Sequence, residues 1–581
     1  MLNRFAATLL ALAPLAALPA KAPPPKTTTL PGMVSAADPR AVAAGVEILR
    51  AGGSAADAAI ATMAALNVVE PLHSGLGGGG FLVYQDAHGQ LSGYDGREAA
   101  PAAADPYWFY VDGQPLSHGE AVPGGLSVGV PGNLKLMWEA HEKHGRLPWA
   151  RLFQPAIRLA TQGYAISPRL ANFLRSFKLP MDDWGHSYLY GADGQGLPAG
   201  TIVKNPKLAA QFAAIAARGP DYFYTGAQAA KLVATVNDAP RNPSKMTIAD
   251  VAAYRIKQRA PICGMYRMYK VCGMAPPSSG GVVVLTILKQ LERFDMTKLG
   301  KDSPVAWHLF AESSRLAYAD RDAYLADPDH TPVPVAGLTD PAYIATRSAL
   351  ISPEKSIDHA EPGHPAGAPD RPIATPVPEH GTTDIAVVDR FGAVAEVTTT
   401  IESVAGSGLS QDGAFLNNEL TDFDIVPVKD GRFVANRVEG GKRPRSSMSP
   451  TIVYGPDGKV RIAIGAAGGS TIIAQVAKAL IGVLDWHLSA QQAIALPLVW
   501  GPGDTVILER GTAAEGLKPA LDALGQKTAV MPLGLKANAI EKVGGKWIGA
   551  ADPRSEGVAM GEDMTAAAIQ RVVQKTGTPS E

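Results

Sequence analysis

The chain has 581 residues, 46% of them hydrophobic and 18% charged, with a formal net charge of −1. That balance describes a folded chain able to bury a large core, and it excludes a basic footprint for nucleic acid or an anionic membrane surface. Length alone would allow about three or four domains, but there is no internal repeat and the one linker-like stretch is residues 351–381.

At the N-terminus, Arg4 precedes an apolar run from Phe5 to Leu18 that ends in Pro19-Ala20-Lys21-Ala22. A charged start, a short apolar run and small residues read as a secretory signal over residues 1–22. A retained anchor is the alternative, although the run is short for a bilayer span. The expectation is an exported protein, periplasmic or secreted, with no membrane insertion once the signal is removed. Residues 37–66 read as helix, and the small residues of Gly52-Gly53-Ser54-Ala55-Ala56 suit tight packing on a sheet. Ser74-Gly75-Leu76-Gly77-Gly78-Gly79-Gly80 matches a G-x-G-x-x-G spacing, but a helix precedes it and a strand follows, the reverse of a dinucleotide site. Its glycines instead let backbones approach one another.

Helical periodicity recurs near 133–145, 151–162, 206–218 and 226–237. Strands follow at 259–274, where Cys263 and Cys272 face each other across a short hairpin; a disulfide and two buried thiols both fit that spacing. Helices are expected at 282–294 and 304–326. Residues 351–381 are rich in Pro, His, Asp and Gly, without period, and read as a flexible, solvated segment. It runs directly into the alternating strand Thr382-Thr383-Asp384-Ile385-Ala386-Val387-Val388, then a turn and a second strand ending at Thr400. Beyond it, Gly455-Pro456-Asp457-Gly458 marks a hairpin, the second arm of which passes through Gly468-Gly469-Ser470 into a helix reaching Leu484. Further strands are read near 506–510, 538–543, 547–551 and 556–560. Many antiparallel strands with helices before and after point to an α+β fold, two stacked sheets between helical layers. There is no CxxC and no HExxH, and neither a metal nor a cofactor is expected.

Thr382 stands on the boundary between loop and strand. Were the Gly381–Thr382 bond cut, Thr382 would carry a hydroxyl and a free amine on adjacent carbons, a nucleophile with its own base. Seven ordered motifs support that reading: Val69-Glu70-Pro71 with the glycine run, Arg97-Glu98, Pro276-Pro277-Ser278-Ser279-Gly280-Gly281, Thr382-Thr383, Leu416-Asn417-Asn418-Glu419 with Asp422-Phe423, Lys442-Arg443-Pro444-Arg445-Ser446-Ser447-Met448-Ser449-Pro450, and Gly468-Gly469-Ser470. Over nearly the whole mature chain the sequence resembles the γ-glutamyltranspeptidase (glutathione hydrolase) family of the N-terminal-nucleophile hydrolases.

That resemblance implies a four-layer αββα sandwich. It also implies self-cleavage at Gly381–Thr382 into a large subunit (23–381) and a small catalytic subunit (382–581), which stay associated as one intertwined domain. By position it makes Thr382 the nucleophile and base, Thr400 its hydrogen-bonded neighbour, and Gly468 and Gly469 the oxyanion hole. Arg97, Ser446 and Ser447 would clamp a substrate α-carboxylate, and Glu402, Glu419 and Asp422 would hold an α-ammonium. Three acids around one nucleophile would repel unless a cation sat between them, which favours an amine-bearing substrate. The implied reaction cleaves glutathione and other γ-glutamyl amides through an acyl-Thr382 intermediate, passing the acyl group to water or to an amino acid or peptide. Asp384 stands where many members have His, Glu402 replaces the Asn of some relatives, and residues 424–441 are short and lack tyrosine, as in members without a lid. The rival readings are a glutaryl- or cephalosporin-type acylase on the same scaffold and an exported binding protein without catalysis.

Overall fold

The computed structural model describes residues 30–374 and 381–575; the signal reading at 1–22 lies outside them. Thirteen strands make the two main sheets. In chain order these are β1 (Met33–Ala36), β2 (Gly79–Gln85), β3 (Leu91–Gly96), β4 (Lys257–Gln258), β5 (Ile262–Tyr266), β6 (Tyr269–Gly273), β7 (Thr383–Val388), β8 (Val394–Thr400), β9 (Thr451–Tyr454), β10 (Val460–Ala467), β11 (Lys536–Val543), β12 (Lys546–Ala551) and β13 (Val558–Gly561). The first sheet runs β13-β1-β7-β8-β2-β3-β4 and the second β12-β11-β10-β9-β6-β5, every pairing antiparallel.

Alternation along β7 explains the layers. Ile385 and Val387 pack into the core shared with the helices α1 (Pro39–Arg50) and α2 (Ala55–Val69), while Ala386 and Val388 join the core between the sheets. On the far side, α3 (Gly280–Leu291) and α5 (Ile472–Leu484) cover the second sheet, and α4 (Pro304–Tyr324) packs on α3. The result is the expected αββα order. Each sheet buries both faces, so strands such as β7 and β8 are buried throughout.

The helix expected at 37–66 is two helices. Gly52 turns at φ 87° and Ser54 caps α2, accepting from the Asp57 amide while Asp57 accepts from the Ser54 amide. Cys263 and Cys272 are directly paired on β5 and β6 and form a disulfide, which resolves the open choice. A strand at Lys527–Met531, missed by periodicity, pairs in parallel with Thr505–Glu509 in a separate small sheet. Residues 351–374 carry no helix or strand, yet they are not loose. The Ile357 amide donates to Glu312 Oε2 at 2.7 Å, the Gly363 amide to Asp320 Oδ1 at 2.8 Å, and Arg347 Nη2 to Glu361 O at 2.6 Å. Buried charges on α4 and beyond it tie this segment to the body where composition alone signals a solvated loop.

Candidate active site

β7 begins one residue after Thr382, and β8 ends at Thr400, so the register that pairs Thr383 with Thr399 sets Thr382 beside Thr400. The Thr382 hydroxyl donates to Thr400 Oγ1 at 3.3 Å, and the same oxygen accepts from the Glu402 amide at 2.8 Å. Thr382 has φ 99°, a region costly for a β-branched residue, so the bond before it is held under backbone strain. What holds it is the Gly381 amide, which donates to Glu402 O at 2.7 Å. A Cβ on Gly381 would lie 1.7 Å from that oxygen, so only glycine approaches Glu402 this closely.

Gly468 (φ 126°) and Gly469 (φ 59°) follow β10 and lead through a short turn into α5. That places backbone N–H groups and the positive end of a thirteen-residue helix beside the strand. Gln475 anchors the turn by donating to Ala467 O at 2.8 Å while its Oε1 accepts from the Lys536 amide at 3.2 Å. Gly381, Thr382 and Gly468 line one cavity of about 410 Å³; Gly469 does not reach it.

The other assigned residues gather elsewhere. Arg97 is buried, and its guanidinium pairs with Glu419 and, at 2.5 Å, with Asp422. Its remaining donors reach Pro444 O at 3.2 Å and Arg445 O at 2.9 Å, beside Ser446 and Ser447. Ser447 Oγ accepts from Arg321 at 2.7 Å, and Ser446 Oγ from the Met448 amide at 3.2 Å. Glu402 accepts from Asn418 and, at 2.5 Å, from Ser403 Oγ. The structure therefore brings Arg97, Glu419, Asp422, Ser446 and Ser447 together, and none of them lines the cavity beside Thr382.

A cation does sit among the acids, and it is the protein's own Arg97. The repulsion that was expected to demand an amine is relieved internally, though incompletely. Glu98 joins the same cluster; burial pushes its carboxyl up to about 7 against the pull of Arg97, and burial holds Glu419 well above the ordinary range. Arg443 adds a second, weaker pull on Glu98 against that burial.

Asp384, two residues past Thr382, faces the second sheet and accepts from Thr398 Oγ1 at 2.8 Å. Glu396 lies beside it, diagonal across β7 and β8, and both face Gly465 of β10, where a Cβ would fall 2.1 Å from Asp384 and 2.8 Å from Glu396. Burial raises Asp384 to about 7; burial and then Asp384 raise Glu396 further. The 424–441 stretch folds into a small hairpin, Val428–Lys429 against Arg432–Phe433, and contributes nothing to the cavity wall. Asn418, Arg321 and Gln475 were not singled out by sequence. Asn418 and the serines lay inside quoted motifs, whereas Arg321 and Gln475 show only helical spacing. Among the described residues no group of three His, Cys, Asp or Glu is placed to hold a metal ion, and no helix is long and apolar enough to cross a membrane.

The sequence model described as gamma-glutamyltranspeptidase matches residues 41–562. The chain belongs to that family. It is 36% identical over 541 residues to a glutathione hydrolase proenzyme of Escherichia coli (strain K12), covering 90% of each chain. It is also 36% identical over 511 residues to an acylase ACY 1 proenzyme of Pseudomonas sp. (strain V22), covering 86% of this chain and 88% of the other. Among solved structures, cephalosporin acylase from Bacillus halodurans superposes with a TM-score of 0.80 at 26% identity, over 95% of this chain and 99% of that one. The fold is thus that of the N-terminal-nucleophile hydrolases, and the protein is an enzyme of the γ-glutamyltransferase/glutathione hydrolase type.

Proposed function

We propose that Thr382 first attacks the Gly381 carbonyl and afterwards the γ-amide of a γ-glutamyl substrate. In the first reaction the Thr382 hydroxyl adds to the carbonyl, the peptide nitrogen leaves as the new α-amine, and water hydrolyses the resulting ester. The freed amine, with an ordinary pKa of roughly 7.7–8.0, then takes the hydroxyl proton during attack on substrate. The N–H of Gly468, which shares the cavity with Thr382, receives the developing oxyanion, and Thr400 orients the nucleophile. The observation that carries this reading is the strained Thr382, hydrogen-bonded to Thr400 and sharing a cavity with Gly468.

Charge balance supports the γ-glutamyl substrate. A zwitterionic α-amino acid end carries one carboxylate for Arg97, Ser446 and Ser447 and one ammonium for Glu402, Glu419 and Asp422, and so enters the ion-pair network without changing its net charge. A glutaryl group brings only the anion to a cluster where acids are already in excess. The products 23–381 and 382–581 stay together because β7 and β8 are interior strands flanked by β1 and β2, which come from the large fragment. The acyl acceptor is water, an amino acid or a peptide, including the fragment released from glutathione, and the enzyme works in the periplasm or as a secreted protein.

Thr382→Ala is expected to stay full-length on a denaturing gel and to turn over nothing, while the parent yields a small fragment whose N-terminal sequence starts at Thr382. A processed, active variant would end the assignment. Side-by-side assay of γ-glutamyl-p-nitroanilide and a glutaryl amide decides the substrate, and a glutaryl preference would favour the acylase reading.

A further inference from the structure

The cavity beside Thr382 has a different character from the Arg97 cluster. Its wall beyond the reacting residues is built from Phe173, Phe177, Leu179, Pro180 and Val404. Phe177 is 54% exposed, an unusual position for a large apolar ring unless something covers it. Phe173 meets His73 edge-on at 5.5 Å and Phe177 at 5.9 Å, so the two phenylalanines and the imidazole form one aromatic face. No Asp or Glu lines this cavity among the described residues, whereas Arg169 and Lys536 both do. Lys536 Nζ pairs with Glu70 Oε1 at 2.8 Å behind the wall. The Arg169 guanidinium lies over Phe173, 5.4 Å from the ring centre, and its buried Nε has no hydrogen-bond partner among the described residues. Burial holds His73 well below its ordinary pKa, so it presents a neutral ring at neutral pH.

We propose that this cavity is the subsite for the amine side of the scissile bond, and that it selects γ-glutamyl amides of aromatic α-amino acids. The inference rests on the γ-glutamyl reading, in which the acyl group occupies the Arg97 side of Thr382. The cavity opens on Thr382 and contains none of the residues assigned to the acyl group, which leaves it for the leaving group and, in transfer, for the acceptor. Its volume of about 410 Å³ suits a small molecule. An aromatic ring would lie against Phe173 and Phe177, and its α-carboxylate would face Arg169 and Lys536.

The test uses the self-cleaved enzyme and three substrates: γ-glutamyl-L-phenylalanine, γ-glutamylglycine and γ-glutamylphenethylamine, which lacks the carboxylate. In kcat/KM the phenylalanine amide is expected to exceed the glycine amide by about 30-fold, within what an apolar pocket confers, and phenethylamine by about tenfold. Phe173→Ala should bring the phenylalanine-to-glycine ratio to within about threefold, and Arg169→Ala should erase the carboxylate preference. Both side chains are partly exposed, and self-cleavage on a gel reports folding. Equal kcat/KM for the phenylalanine and glycine amides, or ratios that survive both substitutions, would overturn the subsite. If no γ-glutamyl amide reacts, the same comparison with glutaryl-phenylalanine and glutaryl-glycine separates the two ideas. A glutaryl-phenylalanine preference would retire the γ-glutamyl reading and keep the subsite; no preference would retire the subsite too.

Discussion

The two sides of Thr382 are built on opposite physical plans. On one side lie an apolar cavity, a strained backbone and a helix start, with Arg169 and Lys536 the charged side chains in the wall among the described residues. On the other side Arg97, Glu98, Glu402, Glu419 and Asp422 are packed out of water, with Arg97 paired to Glu419 and Asp422 and Glu402 held by Asn418 and Ser403. The reactive half depends on backbone geometry, which the uncut chain already possesses. In the proposed reaction the Arg97 half recognises substrate, and its charges must exchange partners on binding, since a buried charge left alone costs several kcal/mol. Self-cleavage should therefore need the first half and be indifferent to the second.

The largest expected effect tests that separation. Arg97→Lys keeps the positive charge but loses the fork that reaches Glu419, Asp422, Pro444 and Arg445 together. The kcat/KM for γ-glutamyl-p-nitroanilide should fall about two to three orders of magnitude, in line with the roughly 2–5 kcal/mol for disrupting a buried charge pair. The rate of self-cleavage should stay within about twofold, because Arg97 and the groups its fork reaches, Glu419, Asp422, Pro444 and Arg445, make no contact with Gly381 or Gly468. Cleavage lost along with turnover would mean that the two halves act as one unit. Gly381→Val probes the opposite half with a smaller effect. Its side chain would collide with Glu402 O, a strain of about 1–3 kcal/mol, so cleavage should slow about 10- to 100-fold. Once cut, the variant should turn over substrate like the parent, since residue 381 then belongs to the departing end. Time courses of precursor disappearance, followed by assay of fully processed enzyme, measure both.

This contrast also governs what could be read in the sequence. The helices Pro206–Arg218 and Gly226–Asn237 fall where periodicity put them, the first because Asn205 caps it and Pro206 opens it. β7 and β8 were legible because alternation against two cores leaves a period of two. The places of Thr382 and Gly468, proposed to react, were legible because both sit at element boundaries that composition marks. The partner of Arg97 was not legible. Glu419 and Asp422 lie more than 300 positions away in the chain, and nothing local says whether they face a ligand or an arginine. The strand Lys527–Met531 escaped because its parallel pairing lies on a small outer sheet and leaves no clean alternation. Residues 351–374 looked solvated because their polar composition is matched by buried charges, Glu312, Asp320 and Arg347, that only the fold brings to them.

The smallest effect concerns the acid pair on the inner face of β7 and β8, just past Thr382. Asp384 and Glu396 face Gly465 on β10 and, on β11, Asn538, whose side chain donates to Asp384 O, and Lys536, the nearest cation acting on Asp384. Glu396 and Asp384 hydrogen-bond to each other, which favours a proton held on Glu396 beside the Asp384 carboxylate. With burial raising both groups, the folded chain keeps protons that the unfolded chain releases above about pH 4. Stability from this pair is therefore greatest at low pH and is lost as pH rises from about 4 through the Asp384 value of about 7. Glu396→Gln removes the more strongly shifted group and supplies an amide donor to Asp384, which can then ionise at less cost. In the uncut Thr382→Ala background, urea unfolding at pH 8 should show the double variant more stable by about 1–3 kcal/mol, with the difference shrinking toward pH 5. An unchanged pH slope would show that the pair shares no proton on folding, and the inner face of β7 would then owe its order to packing alone.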